Sequence, residues 1–346
     1  MSQDDKGARA ANIFDVARLA GVSHQTVSRV LNDLPNVRPA TRARVEQAIA
    51  QLRYSPSPAA RALVTRRTRT IGLVSPGVSD YGPSSIAMHF NFAARAARYN
   101  VEAVSSLDDD PAAVRQVVES LLRQRVDAIV LIVVDVAVLE VVRGLDLAIP
   151  VVAVAASPRP SPLIVSIDQY RGARAAVRHL AELGHTRILH LGGPPSNPDA
   201  IERERGWRDE LVARRLDIVD PPHGDWSAES GHRLGPALGV EAGDAVFVGN
   251  DHMAIGLLSS LRERGLRVPE DVSVVGFDDV PEAGYLYPPL TTVRQDFAAL
   301  GGLIMQKVLL AVEDPDTVTE DTPLPTKLVV RDSTREVEGG RSAARR

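Results

Sequence analysis

Residues 12–31 read NIFDVARLAGVSHQTVSRVL, a stretch that contains two short helical patterns on either side of Gly21. In the first pattern, apolar residues recur at helical spacing, and Asn12 precedes them where an N-cap acceptor is expected. Ser23 can cap the second pattern, in which apolar residues such as Val27 face inward. The stretch therefore predicts two helices joined by a tight turn.

The outer face of the second predicted helix carries hydrogen-bonding side chains, namely His24, Gln25, Ser28 and Arg29. The first turn of a recognition helix enters the major groove of DNA, where Gln can bond adenine and Arg can bond guanine or a phosphate. Many helix pairs share this apolar pattern, so a helical hairpin with a solvated polar face is the alternative. The residue types favour DNA binding.

Charge is distributed unevenly along the 346 residues, a length that predicts two or three units. The net charge is −4, but residues 1–66 hold ten Lys and Arg against five Asp and Glu, which leaves −9 for residues 67–346. A small basic unit on a larger acidic body suits a DNA-binding protein, because phosphate neutralisation dominates affinity for DNA. An ordinary solvated surface is the alternative.

Several classes of protein are excluded or disfavoured by composition. The chain has no cysteine, which excludes disulfides, thiolate metal sites and cysteine catalysis. The first residues lack the basic start and apolar run of a secretory signal, so we expect a cytoplasmic protein. The most apolar run, residues 128–142, is shorter than the roughly 20 residues of a membrane span and contains two acidic residues. We expect no metal ion and no cofactor.

A third helix is predicted from about Pro39 to Leu52, and it would close a small three-helix core. Residues 59–64 then form one or two further helical turns after a Ser-Pro cap. So short a helix is marginal alone because nucleation is costly, and we expect it to fold only when docked. A basic connector, residues 65–70, follows.

From Thr70 onward, β-branched runs alternate with helical patterns, which implies parallel sheets with helices on both faces. The number of strands indicates two lobes. The predicted strands are 70–74, 101–105, 128–133, 151–154, 164–167, 188–191, 245–248 and 272–277. The predicted helices are 85–99, 111–124, 170–183, 199–214, 251–265 and 297–312.

Small or polar residues follow the predicted strands at 192–194, 249–251 and 278–279. In parallel sheets the ligand crevice lies beyond the carboxyl ends of the strands. Asn and Asp can bond sugar hydroxyls, and Trp226 offers a flat face for a sugar ring. Turn-capping Asn and Asp and a core Trp are the alternative for any single residue, but their convergence favours a pocket.

A glycosidase that uses Asp278 and Asp279 as acid and base is a further alternative. Adjacent residues on a strand point in opposite directions, so the two carboxyls would not easily flank one bond. We therefore expect no enzyme activity and name no catalytic residue.

The motifs DVA (15–17), GVS (21–23) and TVSRVLN (26–32) resemble the signature of the lac repressor (LacI/GalR) family. The resemblance covers about residues 11–332. It is closest to the member after which the family is named, through GDWSA (224–228), SG (230–231), ND (250–251), SVVG (273–276), DD (278–279), PPLTT (288–292) and QDF (295–297).

The resemblance implies a homodimer on a palindromic operator in double-stranded DNA, with the second helix of each subunit in the major groove. His24, Gln25 and Arg29 match base-reading positions, and His24 replaces an aromatic residue. Leu63 matches the hinge-helix leucine that wedges into the minor groove. The predicted DNA-binding residues are Ser23, His24, Gln25, Thr26, Ser28, Arg29, Asn32 and Leu63.

The resemblance also implies a pocket for a small effector. The predicted effector-binding residues are Pro83, Ser84, Arg203, Trp226, Asn250, Asp278, Gln295 and Phe297. Ile132 and Ala155 depart from the galactoside pattern, which has an asparagine and an aspartate at these positions. A buried hydroxyl without a partner costs about 1–3 kcal/mol. We therefore expect a different or less hydroxylated effector.

The predicted fold class is an all-α helix-turn-helix head with a hinge helix, plus an α/β periplasmic-binding-protein-like effector domain of two parallel-sheet lobes. The head is residues 11–56, the hinge helix and connector 57–69, and the effector and dimerisation domain 70–332. The N-lobe comprises about 70–168 and 297–324, and the C-lobe about 169–294 and 325–332. Residues 333–346 are predicted to be a disordered tail, without the apolar heptads of a tetramerising bundle.

These features predict a transcriptional repressor that a sugar-like effector releases from its operator, with a galactoside as the first candidate. A corepressor-dependent repressor with a non-sugar effector is the alternative. A periplasmic carbohydrate-binding protein would share the lobes, but it would need a signal peptide and would have no DNA-binding head.

Overall fold

The computed structural model describes residues 11–31, 35–54, 67–77, 80–106, 111–143, 147–156, 164–313 and 322–337. The chain folds as two compact units, Met1–Thr68 and Arg69–Arg346. The hinge-helix prediction, including Leu63, lies outside the described residues, as does Asn32.

The first unit is a three-helix bundle of α1 (Ile13–Ala20), α2 (His24–Leu31) and α3 (Pro39–Leu52). The Asn12 side chain accepts hydrogen bonds from the first turn of α1, and the Asp15 carboxylate accepts the Asn12 N–H in return. Gly21 ends α1 in the left-handed region, with φ +64°, which a glycine adopts without strain. The predicted helix-turn-helix is confirmed.

The core of this unit is small and entirely apolar. Val16 on α1, Val27 on α2 and Val45 on α3 are fully buried against one another. The spacing of these residues leaves the opposite face of α2 without a packing role.

The second unit contains two lobes, each built on a five-stranded sheet. The N-lobe sheet is parallel throughout, in the order β2-β1-β3-β4-β5. Its strands are β1 (Thr70–Pro76), β2 (Asn100–Ser106), β3 (Ala128–Ile132), β4 (Val151–Val154) and β5 (Ile164–Val165). Its helices are α4 (Tyr81–Ala96), α5 (Pro111–Arg123), α6 (Val136–Arg143) and, from far along the chain, α11 (Phe297–Glu313).

The C-lobe sheet has the order β10-β9-β8-β7-β6, in which only the pairing of β10 with β9 is antiparallel among the described strands. Its strands are β6 (Ile188–Leu191), β7 (Ala245–Val248), β8 (Ser273–Asp278), β9 (Thr291–Arg294) and β10 (Lys327–Val329). Its helices are α7 (Gln169–Glu182), α8 (Pro198–Arg214), α9 (Ala228–Leu234) and α10 (Asp251–Glu263).

Both sheets are covered by helices on each face, which is why their strands read as continuous apolar runs. Every residue of β3, β7 and β8 is buried. On β7, Val246 packs into the core on one side of the sheet and Phe247 into the core on the other. The predicted two-lobed α/β architecture is confirmed.

Two of the α-helices and two of the strands described above were not predicted: α6, α9, β9 and β10. The two strands lie at or next to the edge of the C-lobe sheet, and β10 is only partly buried. Both strands are only three or four residues long, and their places in the sheet are decided by ladder hydrogen bonds to residues distant in sequence.

The predicted disordered tail begins too early in the chain. Ser333 is fully buried; its hydroxyl donates to the carbonyl of Val274 at 2.6 Å and accepts the N–H of Thr291 at 2.8 Å. The N–H of Val337 donates to the carbonyl of Leu183 at 2.8 Å. Residues 333–337 therefore belong to the C-lobe, because they pair backbone groups at the end of its sheet. Residues 338–346 lie outside the described part of the chain.

Candidate functional site

The exposed face of α2 presents the polar side chains predicted to read DNA. Ser23 caps the helix, since its hydroxyl accepts the N–H of Thr26 at 3.2 Å and lies 3.0 Å from the Thr26 hydroxyl. His24, Gln25 and Arg29 are exposed, whereas Thr26 and Ser28 are partly buried. This surface is formed by neighbouring turns of one helix.

Two contacts shape this surface. The exposed ring of Phe14 lies 5.2 Å from the ring of His24, centroid to centroid. The Nη2 atom of Arg29 donates to the carbonyl of Pro35 at 3.2 Å, which holds the guanidinium beside the loop after α2. Sequence reasoning missed Phe14; the available signal was an aromatic residue placed off the apolar face of α1.

We expect that Arg29→Ala removes sequence-specific DNA binding and leaves most of the salt-sensitive nonspecific binding. A base contact provides specificity, whereas phosphate contacts provide the affinity that does not depend on sequence. The measurement is a salt series of titrations on an operator duplex and a scrambled duplex. Arg18→Ala, which removes the same charge from an exposed position on α1, should weaken both duplexes equally and modestly. Equal losses on both duplexes for Arg29→Ala would contradict the assignment.

A cleft lies between the two lobes, and its empty space, including the part that is continuous with solvent, is about 690 Å³. It lies at the carboxyl ends of the strands, where the crevice of parallel sheets is expected. Seven of the eight predicted effector residues line it: Pro83, Arg203, Trp226, Asn250, Asp278, Gln295 and Phe297.

Ser84 is the exception among the predicted effector residues. It is exposed and does not line the cleft. Helix α4 begins at Tyr81, one turn earlier than predicted, so that Ser84 already lies within the helix and its N–H donates to the carbonyl of Asp80 at 3.1 Å. Ser84 therefore points away from the cleft that Pro83 lines.

Arg203 is the centre of the polar wall of the cleft and is almost fully buried. Its Nε donates to Oε1 of Gln169 at 2.9 Å, its Nη1 to the carbonyl of Gly249 at 2.5 Å, and its Nη2 lies 3.4 Å from Oδ1 of Asp278. The guanidinium also stacks on the ring of Phe277, 3.9 Å from its centroid. Each of the three guanidinium nitrogens therefore has a partner within the protein.

Asp278 ends β8 and receives hydrogen bonds that orient its carboxylate. The Nε2 of Gln295 donates to Oδ1 of Asp278 at 2.7 Å, and Gln169 donates to Oε1 of Gln295 at 2.8 Å. Burial raises the pKa of Asp278 to about 6, while Arg203 and Gln295 lower it. At neutral pH the group is a carboxylate that can accept hydrogen bonds from ligand hydroxyls.

The backbone of Asp278 is held in a rarely populated conformation, with φ 111°. Buried Asp251 supports this turn: its Oδ2 accepts the N–H of Val280 at 2.9 Å and its Oδ1 accepts the hydroxyl of Thr292 at 2.6 Å. Burial raises the pKa of Asp251. Asp251 thus positions a residue of the cleft without lining it.

Trp226 lines the cleft with a positive φ of 73°. Its ring packs on Gly193, where a Cβ atom would come within 2.1 Å of the ring. Asn250 donates from Nδ2 to the carbonyl of Trp226 at 3.0 Å and caps α10 by accepting the N–H of Met253. Trp207, by contrast, is fully buried away from the cleft, and its Nε1 donates to the carbonyl of Ile188 on β6. It is therefore a core tryptophan.

The part of the N-lobe wall that follows β3 and β4 is apolar, whereas Asp80, Tyr81 and Ser166 place polar groups elsewhere on the same wall. Ile132 and Ala155 line it and are buried. Their neighbours at the ends of β3 and β4 are also apolar: Val133, Val134, Val154 and Ala156. The cleft therefore has an apolar patch on its N-lobe wall in addition to the hydrogen-bonding groups of the C-lobe.

Sequence reasoning missed Asn197 and Asp199, which also line the cleft. Asn197 caps α8 by accepting two backbone N–H groups, and the signal for it was the Asn-Pro-Asp run at the start of that helix. Asp199 follows in the first turn of the same helix.

Asp279 is used differently from Asp278. Its carboxylate is paired with Arg294 and with Arg331, the latter at 2.6 Å, and it does not line the cleft. The geometry therefore does not bring the two carboxyls to one reacting bond. Within the described part of the chain, no group of three or more possible metal ligands occurs, and no helix is long and apolar enough to cross a membrane.

The fold and the cleft define a class: ligand-binding proteins of two α/β lobes that carry a helix-turn-helix DNA-binding unit on the same chain. Residues 12–57 match the family described as bacterial regulatory proteins, lacI family, and residues 177–334 match the periplasmic binding protein-like domain. The chain belongs to the LacI family of transcriptional regulators.

The lactose operon repressor of Escherichia coli (strain K12) is 33% identical over 331 residues, which cover 94% of this chain and 91% of the relative. A structure of the lac repressor dimer bound to operator and the anti-inducer ONPF superposes with a TM-score of 0.83 at 32% identity, covering 94% of this chain and all of the other. The complex of the regulator CelR with cellobiose has a TM-score of 0.67 at 30% identity, covering 93% and 99%. These relatives are transcriptional regulators, not enzymes.

Proposed function

We propose that this protein is a repressor that binds a palindromic operator as a homodimer and is released when a small sugar-like effector occupies the cleft. The observation that carries the proposal is the combination, in one chain, of a polar face on α2 and a cleft whose C-lobe wall carries hydrogen-bonding groups. The names of the relatives support it, since one structure holds operator DNA and another holds cellobiose. Such a protein works in the cytoplasm, where the DNA lies.

The chemistry of the two walls supports a glycoside as the effector. Asp278 and Gln295 offer hydrogen-bond partners for hydroxyls, and Trp226 offers a ring for stacking. On the N-lobe side, Ile132 and Ala155 offer no such partner to a hydroxyl. A galactoside with an apolar substituent on that side is the first candidate.

The effector acts by binding the two states of the protein with different affinities. Closure or rotation of the lobes would move the connector at residues 66–70 and lower the affinity of the protein for operator DNA. A coupling of about 1–3 kcal/mol is typical for such a switch. A ligand that prefers the DNA-bound state would act as a corepressor instead.

The exposed apolar residues of the effector unit support the homodimer. Helix α4 packs on α11 and leaves Met88 and Phe92 on its open face, where Phe92 is 58% exposed. On the C-lobe, Tyr285 and Tyr287 are almost entirely exposed. Exposed apolar patches of this kind mark protein interfaces, and a second copy of the chain is the partner we propose.

We expect a dimer at micromolar concentration. Phe92→Asp should raise the dimer dissociation constant at least tenfold, because the proposed interface would then bury a charge that has no partner. Sedimentation velocity is the measurement. Val212→Asp is the matched control, since Val212 is 60% exposed on α8 and should leave the dimer unchanged. A tetramer that persists after removal of residues 338–346 would contradict the proposed assembly.

The test of the function is a titration of the protein onto a symmetric operator-like duplex with a central C-G step, with and without a panel of galactosides. Tight binding that a galactoside weakens is the expected result. If the protein binds the duplex tightly and no galactoside weakens that binding, the assignment of DNA binding stands and the proposal that a galactoside is the effector is overturned. A failure to bind symmetric duplexes, including palindromes selected from a random pool, would overturn the function.

A further inference from the structure

Three neighbouring strands of the N-lobe sheet begin at one edge of the effector unit. Thr70 at the start of β1 pairs with Asn100 at the start of β2, and β3 lies on the other side of β1. The first compact unit ends at Thr68, so the chain arrives at this edge directly from the unit that binds DNA. We call the described residues that precede the three strands the amino edge: Arg69, 95–99 and 123–127.

The amino edge is basic, in contrast to the effector unit as a whole. Five of its side chains are arginines, all of them exposed: Arg69, Arg95, Arg98, Arg123 and Arg125. Asp127 is the one acid among these described residues, and its carboxylate accepts the N–H of Arg69 at 2.8 Å. Five arginines against one aspartate give the edge a charge of +4, whereas residues 67–346 together carry −9. The edge therefore fits a polyanionic partner.

Three of these arginines have backbone conformations that favour glycine. Arg98 follows α4 with φ +62°, Arg125 follows α5 with φ +59°, and Arg69 precedes β1 with φ +51°. In this left-handed region the Cβ of any other residue is crowded by its own backbone, which is why helices commonly end on glycine there. A base at a helix end also interacts favourably with the helix dipole, as Arg215 does after α8. That effect does not explain three such arginines at one edge of one sheet.

Duplex DNA is the polyanion that the position of the amino edge favours. A duplex carries one negative charge for about every 1.7 Å of its axis. The chain joins this edge to the unit that binds DNA, so a bound duplex is a polyanion tethered to it. An acidic protein would have to be captured from solution instead.

We propose that the amino edge is a second DNA-binding surface, whose arginines attract the phosphates of the duplex that the three-helix bundle holds. Such contacts add affinity that does not depend on sequence and that salt weakens. This inference rests on the DNA binding of the proposed function and requires no effector. It gives the effector unit a part in DNA affinity as well as in its control.

The decisive variant, called the edge variant, combines Arg98→Gly with Arg123→Ala. Glycine adopts the φ of Arg98 without strain, and alanine favours the last turn of α5, so the melting temperature should be unchanged or higher. The control variant combines Arg215→Gly with Arg115→Ala. Arg215 has the same left-handed backbone on the C-lobe, and Arg115 is exposed on α5, about 12 Å from Arg123 along the helix. Both variants remove two positive charges from each subunit.

The measurement is a titration of the full chain onto a palindromic operator duplex and a scrambled duplex of equal length, in a salt series from about 0.05 to 0.3 M. At about 0.1 M salt we expect the edge variant to bind both duplexes at least tenfold more weakly, by the same factor. Its plot of log affinity against log salt should be less steep by at least about 1, since each lost phosphate contact removes about 0.9 from the slope. The control variant should bind both duplexes within about twofold of the wild type.

Equal losses in the edge and control variants would assign the effect to overall charge and overturn the inference, as would unchanged DNA binding by the edge variant. Unchanged DNA binding with weaker binding of poly-glutamate would instead assign the edge to an acidic protein. A loss of affinity in an edge variant that sediments as a monomer would be an effect on assembly, which also overturns the inference. If the wild type does not distinguish operator from scrambled duplex, the sequence-specific repressor of the proposed function fails, while the scrambled duplex still tests the amino edge.

Discussion

Replacement of Arg203 by methionine is expected to abolish the release of the protein from operator DNA by its effector and to leave operator binding intact. The guanidinium orients Gln169 and Asp278 toward the cleft and stacks on the ring of Phe277. Methionine fills a similar volume but donates no hydrogen bond. We therefore expect effector affinity to fall at least 100-fold.

The same change destabilises the effector unit. Asp278 would remain as a buried carboxylate with Gln295 as its donor, and the carbonyl of Gly249 would lose its partner. Removal of one member of a buried ion pair costs about 3–5 kcal/mol. The DNA-reading helices belong to the other compact unit, so operator affinity should persist as long as the dimer folds.

The matched control is Arg205→Met, on the same helix, where the arginine is half exposed and paired with Glu202. It should respond to effector as the wild type does. Arg203→Lys keeps the charge without the planar fork, and we expect at least a tenfold loss of effector affinity if geometry matters. The role of Arg203 would be refuted if Arg203→Met left operator DNA at the same effector concentration as the wild type. A cooperative melting transition would show that the variant in this experiment is folded.

A large pH effect on stability is expected from His190. This residue lies on β6, fully buried between the rings of Trp207 and Phe247, at centroid distances of 5.3 and 4.9 Å. Its Nδ1 lies 2.9 Å from the carbonyl of Phe247, which requires a proton on that nitrogen. Its Nε2 has no hydrogen-bond partner within the described part of the chain. The ring is therefore held neutral.

Burial lowers the pKa of His190 to about 4, and the bond to the carbonyl of Phe247 opposes this shift. Above pH 6.5 the ring is neutral in both the folded and the unfolded chain, so it adds no pH dependence. Between pH 6.5 and 4 only the unfolded chain binds the proton, and stability falls as the pH falls. The loss over this window is about 3 kcal/mol.

His190→Phe should flatten the dependence of unfolding free energy on pH between 6.5 and 4 by about that amount. The measurement is urea denaturation at half-unit pH steps. His232→Phe, the same substitution at an exposed histidine of the same lobe, is the control for the effect of the substitution itself. A slope for His190→Phe equal to that of the wild type would contradict the neutral buried ring.

The DNA-reading surface was largely predictable because its signals are local. Asn12 and Ser23 cap helices within three residues of themselves, and Gly21 sets the turn between them. The exposed face of α2 follows from the positions of its valines. The placement of Asn32 and Leu63 stays a prediction, and so does the DNA-binding role of each residue.

The polar wall of the cleft was predictable in part for a different reason. Asn250 and Asp278 stand at strand ends, and in a parallel sheet all strand ends of one kind meet at one edge. Periodicity also separated the helices from the strands along most of the second unit. Periodicity did not distinguish Trp226, which lines the cleft, from Trp207, which lies in the core. Both tryptophans have a glycine within two residues, so their local sequence does not separate them.

The sequence by itself determined the helix-turn-helix, the alternation of strands and helices, and the strand-end residues, because caps, turns and periodicity act between neighbours. Only the tertiary structure decided that Arg203 bonds Gln169, Gly249 and Asp278, and that Asp199 bonds Ala156 across the cleft. It also decided that Ser333 belongs to the C-lobe. These contacts join residues 34 to 75 positions apart, and packing between distant elements, not local propensity, brings them together.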